Sequence, residues 1–306
     1  MPTEFKVSFP GLGIHNLEIS RIAFELQLFG KTLTIYWYGI LYAMGFLVAL
    51  VLALRQAERY NLSKDDILDI FLAAIPLSVV GSRLYYVAFS WEKYADNLLR
   101  VFDLRDGGLA FYGGVLAGIL ALFLVGRAKK ITLRHLMDFF VPYLALGQAI
   151  GRWGNFFNQE AFGVYTDLPW GMISEGTRHY LQAMNYPYAN SPVHPTFLYE
   201  SLGNILIFIV LLHIRSNSKI SGETTAWYLA TYGVLRYFTE GLRTDSLFIG
   251  SSDVRVSQLL SMLMFLTALL YLIIHYRRAH NSEEQVSAFD RPGWPPAQDE
   301  DKQADA

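Results

Sequence analysis

Three groups of residues in this 306-residue chain combine charge and spacing in a way that suits chemistry on an anion. Tyr232, Arg236 and Glu240 recur every four residues and Arg243 lies three further on, which places all four on one face of a helix. An Arg236–Glu240 pair alone could be simple self-neutralisation. A stripe of this length, however, makes the polar face that a lipid or substrate channel needs, and two guanidiniums can grip a phosphate through paired hydrogen bonds. The second group is the stretch Gly147–Glu160, with Arg152, Asn155, Asn158 and Glu160. Snorkelling toward water would account for Arg152 by itself but not for its three polar neighbours. Gly147 and Gly151 have the small-xxx-small spacing of close helix packing. The third group, Gly107-Gly108-Leu-Ala-Phe-Tyr-Gly-Gly114, opens an apolar run. Its paired glycines permit positive φ or a close backbone approach, a helix start offers free N–H groups to an anion, and Tyr112 would face that space. Gly114 and Gly118 repeat the packing spacing.

Further polar residues sit where they are costly. His194-Pro195 precedes another apolar run, with Tyr199-Glu200 one turn inside it and Pro195 suited to a first helical turn. Arg83 and Asp138 also fall within apolar segments and need partners. No G-x-S-x-G, H-E-x-x-H or P-loop occurs, so serine-hydrolase, zincin and ATP-driven mechanisms have no support. With no cysteine, the chain has no thiol nucleophile, disulfide or Cys-ligated metal of its own, although a thiol could be the substrate.

The elements that must position these residues are apolar helices. Hydrophobic residues make up 53% of the chain and charged residues only 17%, a balance that favours a bilayer over water. A net charge of −2 argues against a nucleic-acid partner. Seven segments approach the ~20 apolar residues that span a bilayer: 35–54, 67–89, 109–125, 133–150, 196–214, 225–240 and 256–276. The third, fourth and sixth are short or interrupted by polar groups. The predicted fold is therefore an all-α polytopic membrane protein of seven helices with a small outer cap.

Basic residues orient it. The short connections 55–66, 126–134 and 215–224 hold nine Lys or Arg in 31 residues, against ten over about 110 residues on the opposite side. The dense loops are thus expected in the cytoplasm, with the N-terminus outside and the C-terminus inside. Residues 1–34 form an outer-surface segment in which alternation over 17–24 predicts short strands or an interfacial stretch. Residues 35–276 form one membrane domain with no internal repeat, including an aromatic-rich outer loop at 151–194 that contains Trp153 and Trp170. Residues 277–306 read as a disordered, acidic cytoplasmic tail. The N-terminus lacks the pattern of a cleavable signal.

On these motifs the chain resembles the bacterial prolipoprotein diacylglyceryl transferases. The resemblance is carried by Trp37-Tyr38-Gly39, the Gly107–Gly114 stretch, Gly151-Arg152-x-Gly-Asn-Phe-x-Asn-x-Glu160 with Gly163, His194-Pro195-x-x-x-Tyr-Glu200 and Arg236-x-x-x-Glu240, over roughly residues 33–276. It implies transfer of the diacylglyceryl group of phosphatidylglycerol to the thiol of a lipobox cysteine in a prolipoprotein, with a thioether formed and glycerol phosphate released. It implies no metal or soluble cofactor, and a place in the bacterial inner membrane with the site toward the outer side. Arg152 would bind the headgroup and Arg236 would stabilise charge on the departing phosphate. Tyr38, Asn155, Asn158, Glu160, Gly163, Tyr199, Glu200, Glu240 and Arg243 would line or brace the site. Many members carry His where this chain has Tyr112, and that His is a candidate base for the thiol. A phenol of pKa ~10 is a poor base at neutral pH. Either Tyr112 positions the lipid by hydrogen bonding, or deprotonation falls to His194 or a carboxylate.

Two other classes compete. A small-solute transporter would show repeats and broken helices at the midplane. Another lipid-modifying transferase, such as a phosphotransferase, would need metal-binding carboxylates at ligand spacing.

Overall fold

The computed structural model describes residues 4–28, 30–103, 107–250 and 252–281. Eight α-helices are present among them: α1 Trp37–Gln56, α2 Lys64–Phe89, α3 Phe111–Lys129, α4 Leu133–Asn158, α5 Glu175–Ala183, α6 Thr196–Ser216, α7 Glu223–Leu242 and α8 Val256–Asn281. Five short strands accompany them: β1 Glu4–Phe9, β2 Ile14–Ser20, β3 Ile22–Leu28, β4 Lys31–Tyr36 and β5 Ile173–Ser174. The expectation of an all-α fold is corrected by these strands, which form the sheet β2-β1-β5 and the hairpin β3-β4. Alternation over 17–24 is the part of the sequence that marked them, because side chains at every second residue share a sheet face.

Five helices, α1, α2, α3, α6 and α8, are long and apolar enough to cross a bilayer. Their most apolar stretches are only 17% to 33% buried within the protein. Leu47, Leu72, Leu116, Leu206 and Leu270 point outward from them, while Asn204, Glu200, Arg215 and Thr224 are buried. Apolar outside and polar inside inverts the arrangement of a water-soluble protein, and hydrocarbon is the solvent that makes it favourable. The chain is therefore a polytopic membrane protein. The segments expected to span at 133–150 and 225–240 lie within α4 and α7, which are helical but fall short of the apolar criterion. The reason is compositional: α4 carries Arg134, Asp138 and Arg152, and α7 carries Arg236 and Glu240.

The chain packs as two compact units. Among the described residues, one comprises 4–49, Val141–Ser218 and 223–281; the other is Leu50–Phe140 with Lys219–Gly222. In the first unit, the inward residues of β1, Phe5 and Val7, join Phe156, Phe162, Leu181 and Phe197 in one apolar core. Each such side chain contributes about 1.5–3 kcal/mol on burial. The core ties the N-terminal sheet to the end of α4, to α5 and to the start of α6. A second core, Val141, Ala145, Ile207, Leu211 and Tyr228, joins α4, α6 and α7.

In the second unit, α2 begins with a capping box in which Ser63 Oγ accepts from the Asp66 N–H and Asp66 Oδ2 accepts from the Ser63 N–H, each at 3.0 Å. Gly81 and Gly113 let α2 and α3 touch backbone to backbone, since a Cβ on Gly81 would stand 2.7 Å from the Gly113 carbonyl oxygen. Gly114 and Gly118 face Ser82 and Ser78 of α2, in the packing role their spacing predicted. Asp138 accepts a hydrogen bond from the Gly222 N–H at 2.6 Å. Helix α8 extends to Asn281 and includes Arg277 and Arg278; the rest of the expected tail, from 282, lies outside the described residues.

Candidate functional site

The first unit gathers its charged residues around one carboxylate. Glu200, one turn into α6, is 1% exposed. Arg236 of α7 donates from Nη1 to Glu200 Oε1 at 2.9 Å, and from Nη2 to Glu240 Oε2 at 2.5 Å. Arg152 of α4 brings Nη2 to 2.6 Å from Glu200 Oε2, a charge contact that is not aligned as a hydrogen bond. Arg243, just beyond α7, lies 3.9 Å from Glu200 Oε1 and grips Asp245 with two bonds, Nε to Oδ1 at 2.9 Å and Nη2 to Oδ2 at 2.7 Å. Arg243 holds the Asp245 carboxyl below the usual carboxylate range even though burial opposes this. Three guanidiniums and three carboxylates thus balance, and the arginine side chains remain 14% to 20% exposed. That exposure leaves donors available to an anion.

Local sequence explains how the helices bring these groups in. Trp153 of α4 donates to Ser201 Oγ at 3.2 Å, and Ser201 donates to the Ala149 carbonyl at 2.9 Å, so α4 and α6 are fastened beside Arg152 and Glu200. Gly45 of α1 faces the Gly147 backbone of α4, where a Cβ would stand 3.4 Å from the Gly147 carbonyl oxygen, and a Cβ on Gly151 would stand 3.4 Å from the Tyr42 ring. A Cβ on Gly147 itself would meet nothing within 4 Å, so the packing expected at Gly147 comes from Gly45 instead. Gly154 faces the Tyr38 ring, where a Cβ would stand 2.7 Å away. Tyr38 donates to Tyr42 at 3.2 Å and lies within electrostatic reach of both Arg152 and Glu160. Glu160 Oε1 accepts from Asn155 Nδ2 at 3.0 Å and Asn158 Nδ2 at 3.2 Å. Arg21 donates to Asn158 Oδ1 at 3.4 Å. A cleft of about 760 Å³ is lined by Arg21, Asn158, Tyr38, Gly39, Ile40 and the end of β4.

Gly163 sits where three segments meet. A Cβ there would come within 2.7 Å of the His194 Cβ and 3.0 Å of the Leu242 carbonyl oxygen. Its N–H bonds the His194 carbonyl at 2.9 Å, and Val164 N–H bonds the Leu242 carbonyl at 2.8 Å. This knot holds the start of α6 against the end of α7. His194 Nδ1 lies 3.0 Å from Tyr199 OH. Burial pushes its imidazole pKa below the ordinary value.

Eleven of the thirteen expected site residues therefore fall in three hydrogen-bonded or ion-paired groups of one unit, or within electrostatic reach of them. Gly163 joins them by backbone packing. Tyr112 belongs to the second unit, as the second residue of α3, where it is 39% exposed and packs edge-on against Phe111. The approach to α3 is fixed by Arg83, which is 5% exposed. Its guanidinium donates to the carbonyls of Arg100 and Asp103 at 2.7 Å, Val101 at 2.8 Å, Gly107 at 2.7 Å and Gly108 at 3.2 Å. It also stacks 5.1 Å over Tyr94. Gly107 and Gly108 have φ of +74° and +75°, which is why both are glycine. Arg83 thus finds its partners in backbone carbonyls.

Sequence reasoning missed Asp245 and the bond that Trp170 Nε1 donates to Tyr199 OH at 2.8 Å. Asp245 could have been found from Arg243-x-Asp245 directly after a helix. Among the described residues, no group of three or more His, Asp or Glu side chains is placed to hold a metal ion.

The family model for prolipoprotein diacylglyceryl transferase matches residues 22–274. The phosphatidylglycerol–prolipoprotein diacylglyceryl transferase of Finegoldia magna is 42% identical over 268 residues, covering 87% of this chain and 100% of that protein. The protein of the same name from Clostridioides difficile is 42% identical over 80% of this chain and 91% of its own length. That from Enterococcus faecalis is 42% identical over 88% and 96%. With its arginine cluster set among apolar helices and a family match over most of its length, this chain belongs to the prolipoprotein diacylglyceryl transferase family.

Proposed function

We propose that the chain transfers the diacylglyceryl group of phosphatidylglycerol to the thiol of the lipobox cysteine in prolipoproteins, the first step of lipoprotein maturation. The observation that carries this reading is the set of three arginines around Glu200. A phosphodiester headgroup needs donors of this kind in a site shielded from water.

In the reaction, the substrate's sulfur attacks the glycerol carbon that bears the phosphate. A C–S bond forms, the C–O bond breaks, and the oxygen leaves with its electron pair on glycerol phosphate. Arg152 binds the headgroup phosphate, and Arg236 stabilises charge as it builds on the leaving oxygen. Arg243 adds positive potential from the end of α7. Glu200 and Glu240 hold the arginines in register, and Asp245 does so for Arg243. Tyr38, Asn155, Asn158 and Glu160 shape the neighbouring polar wall at the end of α4. Tyr112 offers a hydrogen bond to the lipid. A cysteine thiol of pKa ~8.5 is already partly ionised near neutrality, and nearby guanidiniums lower that value.

In this reading the chain crosses seven times, with the N-terminal sheet outside and the end of α8 in the cytoplasm. This follows from the basic short loops together with α4 and α7 as polar-faced spans. The site then opens to the outer side of the bacterial inner membrane, where a secreted precursor arrives. Residues 1–34 act as an outer segment on the catalytic domain 35–276. Because the chain lacks cysteine, single introduced cysteines in 55–66 and 126–134 should label only from the cytoplasmic side.

The deciding experiment incubates purified protein with headgroup- and acyl-labelled phosphatidylglycerol and a lipobox peptide. Peptide carrying the acyl label, with equimolar glycerol phosphate, is expected. Consumption of the lipid with no labelled peptide would refute the assignment.

A further inference from the structure

A second chain of bonds, outside the arginine cluster, leads from the outer loop to His194. Trp170 Nε1 donates to Tyr199 OH at 2.8 Å. The same phenol lies 3.0 Å from His194 Nδ1, with the two rings edge-on at 5.8 Å. An indole N–H can only donate, whereas a phenol both accepts and donates. With Tyr199 accepting from Trp170, the phenol's own proton has His194 Nδ1 within reach at 3.0 Å. In that arrangement Nδ1 is the acceptor and the ring proton of a neutral His194 is on Nε2.

Trp170 is 40% exposed, so burial does not hold it in place. Its neighbours do. Thr166 N–H bonds the Pro192 carbonyl, Gly171 N–H bonds Leu168, and Met172 and Val193 exchange two backbone bonds, all at 2.9 Å. The N-terminal sheet underlies this segment, with Val7 and Ser8 of β1 paired to Ser174 and Ile173 of β5. Gly11, in the turn after β1, packs so closely on Pro169 that a Cβ would stand 2.6 Å from the Pro169 Cα. The residue next to Trp170 is thus braced from below by the N-terminal segment.

We propose that Trp170 is a positioning residue for the transfer site, acting through Tyr199 to hold His194 as the neutral Nε2–H tautomer. His194 then serves as a hydrogen-bond donor to an oxygen of the diacylglyceryl donor and does not take the thiol proton. This deepens the function proposed above and rests on it for the identity of the lipid oxygen, but the tautomer can be read without turnover.

The test uses the full chain in phosphatidylglycerol nanodiscs with ¹⁵N-histidine. His194 is assigned by the signal lost in His194→Gln, and long-range ¹H–¹⁵N correlations show which ring nitrogen is protonated. Nε2–H is expected in the unaltered protein. Trp170→Phe keeps the aromatic bulk and should give a mixture of tautomers, with kcat lowered about 10- to 100-fold and KM for the lipid within about twofold. Tyr199→Phe should behave alike, and the double variant should be no worse than Tyr199→Phe alone, because both act through one phenol. A proton on Nδ1 in the unaltered protein would overturn the proposal. So would unchanged tautomer and rate in both single variants, or additive losses in the double variant. If the tautomer result holds but no peptide is lipidated by the unaltered protein, the function fails and the relay stands.

Discussion

Replacing Glu200 by Gln tests the charge balance at the heart of the site. The change keeps the shape of the side chain and removes one negative charge from a group of three arginines and three carboxylates. Glu200 is 1% exposed, so water cannot stand in for the lost charge. Its 2.9 Å bond from Arg236 is a charge-assisted hydrogen bond, which contributes about 1.5–3 kcal/mol, and Arg152 lies in charge contact at 2.6 Å. Removing one member of a buried ion set costs about 3–5 kcal/mol. The Gln amide N–H₂ would also face a guanidinium and repel it. Both arginines are then free to swing toward an incoming phosphate, which replaces the carboxylate as their counter-ion. The expected outcome is a split: thermal stability falls, affinity for phosphatidylglycerol holds or rises, and turnover drops about 100-fold or more because Arg236 no longer points at the leaving oxygen. Stability is followed by thermal unfolding in detergent, affinity by lipid titration, and turnover by peptide lipidation. Turnover within about threefold of the unaltered protein, with unchanged stability, would refute the view that Glu200 organises the arginines.

Arg83→Lys loses the forked geometry that reaches five carbonyls, so stability should drop by about 2–4 kcal/mol. Limited proteolysis should then cut within 98–103. Tyr112→Phe should weaken transfer and Tyr112→His should retain it; full activity in the Phe variant would remove the phenol from the chemistry. Because burial lowers the His194 pKa below its unfolded value near 6.5, the unfolded chain takes up the proton first as pH falls. Stability should therefore be full above about pH 6.5 and decline as pH falls through the folded pKa, and a His194→Gln variant should flatten that decline.

Much of the first unit was legible because its chemistry recurs at helical spacing. Arg236, Glu240 and Arg243 announced a polar face, and Arg152 through Glu160 announced another where α4 ends. The partner that unites them, Glu200, was legible only as an acid entering an apolar run. Its central place depends on α4, α6 and α7 meeting, a long-range fact that periodicity does not encode. The strands were half visible, since alternation marked 17–24, but β1 pairs with β5 across more than 160 residues. Of the seven segments expected to span, five coincide with helices long and apolar enough to cross a bilayer, and the other two lie in the helices α4 and α7. Those two carry Arg152, Arg236 and Glu240, which lower their apolar character. Arg83 was read as a charge in need of a partner. The structure supplies backbone carbonyls as that partner, which no sequence pattern reveals.

The convergence of Arg152, Arg236 and Glu200 from three helices also constrains how the protein can change over generations. Losing any one of them strands a charge away from water, so each single step costs several kcal/mol and is purged before a second step can follow. Exchanging the whole set for apolar residues could restore stability, yet it would abolish the reaction. Sequences in which the three stay together are therefore the ones expected to persist, with change collecting on the outward-facing apolar surface of α1, α2, α3, α6 and α8. There one apolar side chain replaces another of similar volume at small cost.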